Sequence, residues 1–324
     1  MQNSPLARKR WFWFALKLAV SLALLGWLFQ KFEVSAESLK PRSYYPLIGA
    51  LAAACATTIV GAIRWQVILR LYSQRLRFRE TARIQYVAAF MNQFLPGFVG
   101  ADAVRVYMAH RRGVRLAQAI ASLMLDRAVA LLGLILIVAA TSPRILEVVK
   151  DEHLKQLLLW ITAALCAGTA ALVTLSGVLD RLTKRFRWLS PLAFLASGLG
   201  DLFCSLRALA AVLSASILMH AMFAVGLWAS LVAFRVDVPF WDVLAIFAPI
   251  ILFQMLPVSI GGWGVRELAA VTMLAAIGIA PAHALAASII LGIVQAISSL
   301  PGSVVWLIQV ESARGAGSRH SAGG

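Results

Sequence analysis

The chain has 324 residues, 61% of them hydrophobic and only 14% charged, with a formal net charge of +16 and a mean hydropathy of +0.82. Such a composition excludes a pair of soluble domains and points to one polytopic helical bundle, because a helix needs about 20 apolar residues to cross the hydrocarbon. The Lys and Arg residues fall in short clusters between apolar runs, as the positive-inside rule requires, which argues for membrane topology and anionic lipid and against nucleic acid.

Arg8, Lys9 and Arg10 precede an apolar run over residues 11–29, interrupted by Lys17. The run is longer than the roughly 7–15 residues of a signal-peptide core, so it is read as a retained first span with its N-terminus in the cytoplasm. A second span over 44–63 returns to a basic stretch, Arg64 to Arg83, with Arg64 expected to snorkel at the helix end. Residues 84–95 are apolar but stop at Pro96, too short to cross, and basic clusters flank both sides. This segment is expected to dip into the membrane and return, a path tolerated only inside protein or beside a watery cavity. Full spans are expected over 116–140, 156–176 and 208–234, with an interfacial helix within 188–206. Residues 243–256, stopped by Pro257, and 268–280 are again too short and are read as a second re-entrant hairpin, entering from the other side. A last span over 284–310 leads to a tail, 311–324, expected to be disordered and cytoplasmic. The expected architecture is therefore all-α: about six full spans plus two re-entrant helical hairpins, after a basic N-terminus at 1–10. Residues 11–310 form one transmembrane domain with half-repeats near 44–155 and 205–310.

The repeat is carried by QFLPGFVGADAVR, residues 93–105, and QMLPVSIGGWGVR, residues 254–266, which agree at 6 of 13 positions at an offset of 161. Three expected spans separate the copies, so they would face opposite sides of the membrane. Inverted repeats with Gly/Pro-interrupted short helices are a sequence pointer to a transporter site. The breaks expose backbone N–H groups at a new helix N-terminus, which attracts anions. Pro96 and Pro257 end the incoming helices, while Gly100, Gly261 and Gly262 permit turns and close approach of a ligand. Asn92, Gln93 and Gln254 offer amide donors at the tips, or satisfy broken backbone. Arg105 and Arg266 are repeat-equivalent; Arg266 is followed by Glu267, a neutralising neighbour, and Asp102 is a candidate for that part in the first copy. Asp126 and Arg127 lie at the centre of a span, where an uncompensated charge costs roughly 2.5–3.5 kcal/mol. They read either as an ion pair that fixes packing or as a cation facing a lipid phosphate. His220 reads as a packed, hydrogen-bonded histidine. Cys55, Cys166 and Cys204 read as buried thiols with neither disulfide nor metal spacing.

NQFLPGFVGADAVR, LMLDRAVALLGLI and LPVSIGGWGVRELA, in that order, resemble the lysylphosphatidylglycerol synthase transmembrane-region family, over residues 11 to 310. The resemblance implies a flippase-like domain and places Asn92, Pro96, Gly100, Asp102, Arg105, Arg127, Pro257, Gly261, Gly262, Arg266 and Glu267 on family motif positions. In the family's two-part synthases a soluble domain performs aminoacyl transfer; none follows here, so a stand-alone protein is expected. The leading expectation is a lipid translocator of the bacterial inner membrane, multi-pass with both termini cytoplasmic, for an anionic or phosphate-bearing lipid such as a phospholipid or polyprenyl phosphate. The alternative is a non-transporting subunit that presents lipid to a separate synthase or glycosyltransferase. No nucleotide-binding loop, nucleophile elbow or metal-spaced set supports an enzyme or an ATP-driven pump, and no cofactor is expected. Asp102, Asp126 and Glu267 are the candidates for proton coupling.

Overall fold

The computed structural model describes residues 5–32, 37, 39–95, 97–174, 190–255 and 258–321. Among these the regular elements are helices: α1 (Pro5–Lys31), α2 (Tyr45–Leu71), α3 (Phe78–Met91), α4 (Gly97–His110), α5 (Leu116–Val148), α6 (Glu152–Thr174), α7 (Ser190–Cys204), α8 (Leu206–Ala233), α9 (Phe240–Gln254), α10 (Val265–Ala276) and α11 (Pro281–Ser321). Four are long and apolar enough to cross a membrane: α2, α5, α8 and the first part of α11. The other two expected spans are present as helices α1 and α6. The segment expected to lie at the interface contains α7, which packs on α5, α2 and α8 through Leu195, Leu199 and Leu202. The basic loop at 181–187 lies outside the described residues.

Helices α2–α5 and α8–α11 run in the same order: a long helix, two short ones either side of a break, and a second long helix. The packing follows that order. α2 lies along α8; α3 packs on α11 as α9 packs on α5; α3–α4 and α4–α5 match α9–α10 and α10–α11; and α2 meets α11 as α8 meets α5. Interchanging the two sets of four helices maps these contacts onto one another. Each short pair is thus clasped by long helices from both halves. Glycines let the helices close up. A Cβ on Gly302 would stand 2.1 Å from the Tyr86 carbonyl oxygen, and one on Gly133 2.6 Å from the Ser216 Cβ. Small residues at such crossings are how apolar helices gain packing where lipid offers no hydrophobic drive.

The two short pairs differ in burial. On α3 only one face is buried, at Thr81, Ile84, Val87 and Ala88, while Arg79 and Arg83 are exposed. Along α9 nearly every side chain from Asp242 to Ile251 is buried, within the largest apolar cluster, which also draws on α5, α8, α10 and α11. A helix apolar all round belongs inside a bundle; one with a polar stripe belongs at its edge.

The cysteines correct the sequence reading. Cys166 and Cys204 are exposed and Cys55 is intermediate, all as free thiols. Hydropathy marks a segment as membrane-compatible but cannot tell the face that packs from the face that meets lipid.

Candidate functional site

The breaks between the short helices meet at the centre of the bundle. A Cβ on Gly261 would lie 3.3 Å from the carbonyl oxygens of both Asn92 and Gln93, so the second break presses on the first. Gly261, Gly262 and Gly264 carry φ of 59°, 80° and 87°, which L side chains rarely adopt, and this explains the glycine spacing of the second copy. Gly262 is also crowded: a Cβ there would fall 2.6 Å from the Gln254 side chain. Gly100 belongs to the first break, where a Cβ would meet that of Leu95 at 2.4 Å. Pro96 and Pro257 lie outside the described residues.

Beside the breaks is a cavity of about 200 Å³, walled by α2, α3, α4, α5, α8, α9 and α11. Asn92, Gln93, Asp102, Arg105, Arg127 and Gln254, all singled out from sequence, line it together. Asp126, also singled out from sequence, lines it too, as do Arg64 and His220, expected to snorkel and to pack; the structure adds Gln85 and Gln295.

An ion-pair network forms one side. The Asp126 carboxylate accepts from Arg64 Nε at 2.9 Å on one oxygen and from Arg105 Nη1 at 3.1 Å on the other. Arg127 donates to both oxygens of Asp102, through Nε at 2.9 Å and Nη2 at 2.8 Å. Arg105 Nη1 stands 3.6 Å from Asp102, joining the two sets. Three guanidinium groups thus face two carboxylates. Arg64, Arg105 and Asp126 are all buried, so removing one partner would strand charge in a low dielectric. The mid-span Asp126 and Arg127, one adjacent pair in sequence, have separate partners: each reaches a different charge on another helix. Arg64 corrects an expectation. α2 continues to Leu71, so Arg64 sits within the helix, buried, with Nη1 donating to Ser216 Oγ at 3.0 Å. Its hydropathy-based span stopped one residue too soon to show this.

Several polar atoms here are buried without a hydrogen-bond partner: Arg105 Nε and Nη2, Asn92 Oδ1, Gln85 Oε1 and His220 Nδ1. His220 is anchored through its other nitrogen, which donates to the Ala130 carbonyl at 2.9 Å, in line with the packed reading. Unpaired buried polar groups are uncommon and mark places built to meet something polar.

The second half-site is arranged otherwise. Arg266 and Glu267 are buried and do not line the cavity. Arg266 donates to Glu267 Oε1 through Nε at 3.0 Å and also through Nη2. Glu267 Oε2 takes the Gly264 N–H at 2.6 Å, one half of a capping box that satisfies the start of α10. Ser288 adds a weaker donor at 3.4 Å. Helix α1 covers this break: Ser21 Oγ accepts the Ile260 N–H at 3.1 Å, and a Cβ on Gly264 would meet Leu24 at 2.9 Å.

A family model for the lysylphosphatidylglycerol synthase transmembrane region matches residues 14–302, nearly the whole chain. No curated protein matches it. The chain belongs to that family: it is a membrane-embedded helical protein related to lipid handling.

Proposed function

We propose that this family member translocates a lipid with an anionic, phosphate-bearing headgroup, a phospholipid or polyprenyl phosphate, between leaflets of the bacterial inner membrane without altering it chemically. The observation that carries the reading is the central cavity. It lies where two broken helix pairs meet, it is walled by both halves, and it sets three guanidinium groups against two carboxylates. A headgroup phosphate entering there would find fixed cations and amides, while its acyl chains remained among the apolar outer faces of the helices. The six helices α1, α2, α5, α6, α8 and α11 span the bilayer in this reading, and α3–α4 and α9–α10 are re-entrant hairpins entering from opposite sides. Discontinuous helices at a repeat interface are a recurrent way to build a midplane site. Both termini lie in the cytoplasm. A flanking transferase would act as the source or receiver of the lipid.

Leaflet exchange in proteoliposomes tests this. Labelled phosphatidylglycerol, phosphatidylcholine and polyprenyl phosphate are reconstituted separately with the wild type and with Arg127→Gln. Exchange of an anionic class, slowed about tenfold or more when the cation is removed, is the expected result. Were no lipid to move while one co-purified, the protein would be a lipid-presenting subunit and the translocator reading would fall.

A further inference from the structure

Arg105 and Arg266 occupy equivalent positions in the repeat, 161 residues apart, and their guanidinium groups are held alike. Arg105 stacks on the Trp65 ring at 4.5 Å and Arg266 on the Trp263 ring at 4.7 Å. Each sends Nη1 to the long helix that follows it, to Asp126 on α5 in one case and to Gln295 on α11 in the other. The remaining edge differs. In Arg266 the Nε and Nη2 atoms both hold the Glu267 carboxylate. In Arg105 the same two atoms are buried without a hydrogen-bond partner, in a residue 4% exposed that lines the cavity. The residue equivalent to Glu267 is Val106, which supplies no carboxylate.

We propose that the Nε–Nη2 edge of Arg105 binds one external oxyanion, a phosphodiester headgroup or free phosphate, and that the second half is a self-ligated copy in which Glu267 occupies the same edge of Arg266. The Nε–Nη2 edge of a guanidinium is a fork matched to two oxygens of a carboxylate or phosphate. Charge sets the class of ligand. Arg64, Arg105 and Arg127 exceed Asp102 and Asp126 by one positive charge, which a monoanion balances; Arg266 and Glu267 are already balanced. A dianion would leave the first site with a net negative charge in low dielectric, which is costly. The protein therefore binds one anion per chain, although its sequence carries two copies of the motif. This rests on the central cavity being the lipid site, and it adds that the two half-sites do not alternate as equal receptors.

Calorimetric titration of the full chain in dodecyl maltoside, which carries no phosphate, tests it with two probes: dihexanoylphosphatidylglycerol and inorganic phosphate. The expected result is one lipid bound per chain. Arg105→Lys, which keeps the charge and the bond to Asp126 but removes the fork, weakens binding by about tenfold to a hundredfold. Two lipids per wild-type chain or unchanged binding in Arg105→Lys would each overturn the proposal. Should Arg105→Lys not fold, the wild-type stoichiometry decides. Saturation by inorganic phosphate without lipid binding upholds the oxyanion edge and sinks the lipid reading of the cavity. Binding of neither probe overturns the edge, whereas the exchange assay judges translocation independently.

Discussion

The two breaks share 6 of 13 residues and end in different states. The first, between α3 and α4, opens on a cavity and leaves part of its arginine unpartnered; its leading helix shows arginines to the outside. The second, between α9 and α10, is sealed: an adjacent carboxylate ligates its arginine, α1 covers its glycines, and its leading helix is buried all round. The Pro, the Arg and one glycine are common to both, but Gly262 and Gly264 stand where the first copy has Ala101 and Ala103, and the residues around them differ further. Glu267 rather than Val106 follows the arginine, and Ser21 supplies an acceptor from a helix far away in sequence. Duplication of a motif therefore does not entail duplication of a site. One copy leaves an arginine edge open to a cavity while the other has its arginine ligated and covered.

The comparison can be broken most forcefully at Asp126, which two guanidinium groups of the open side share. Asp126→Ala should cost about 3–5 kcal/mol, since it leaves Arg64 and Arg105 buried and uncompensated. Thermal unfolding of the purified protein would read this as a large fall in Tm, and a small fall would mean that the network is hydrated and its charges cheap. On the sealed side, Gly292→Ala should cost about 1–3 kcal/mol by overpacking. Its Cβ would stand 2.2 Å from Arg266 Nη2 and 2.6 Å from Trp263, so a neutral outcome in the same melt would show that Arg266 is free to move. Ser21→Ala removes the acceptor of the Ile260 N–H, at about 1–3 kcal/mol for a buried donor left unpaired. Hydrogen exchange localised to 258–264 should speed up, and unchanged protection there would mean that α1 does not brace the break. Gly49→Ala is the reference: with nothing within 4 Å of the added Cβ, its effect should stay under about 1 kcal/mol and favour the helix.

Much of the fold was legible from hydropathy alone. Long apolar runs gave α2, α5, α8 and α11, and the short runs ending at Pro96 and Pro257 marked α3 and α9 as helices that stop early. The repeat of QxLP and VR was legible too, and of the residues singled out from it and from the mid-span charge, Asn92, Gln93, Asp102, Arg105, Arg127 and Gln254 line the cavity whereas Arg266 and Glu267 do not. Arg64 was not legible, because a charge near the end of an apolar run reads as snorkelling until the helix is seen to continue past it. Cys166 and Cys204 failed for a related reason, since burial of a membrane helix face depends on its neighbours.

The sequence by itself determined that this is a helical membrane protein, that its helices break twice at matching points, and which family it belongs to. Those are properties of local composition and periodicity, and they are written within single segments. Only the tertiary structure decided which charge neutralises which. Arg64 meets Asp126 across 62 residues, Arg127 meets Asp102 across 25, and Ser21 meets Ile260 across 239. In low dielectric the state of a charged group is set by what stands within a few ångströms of it. That proximity is made by packing, so the difference between an open half-site and a sealed one appears only when the helices have come together.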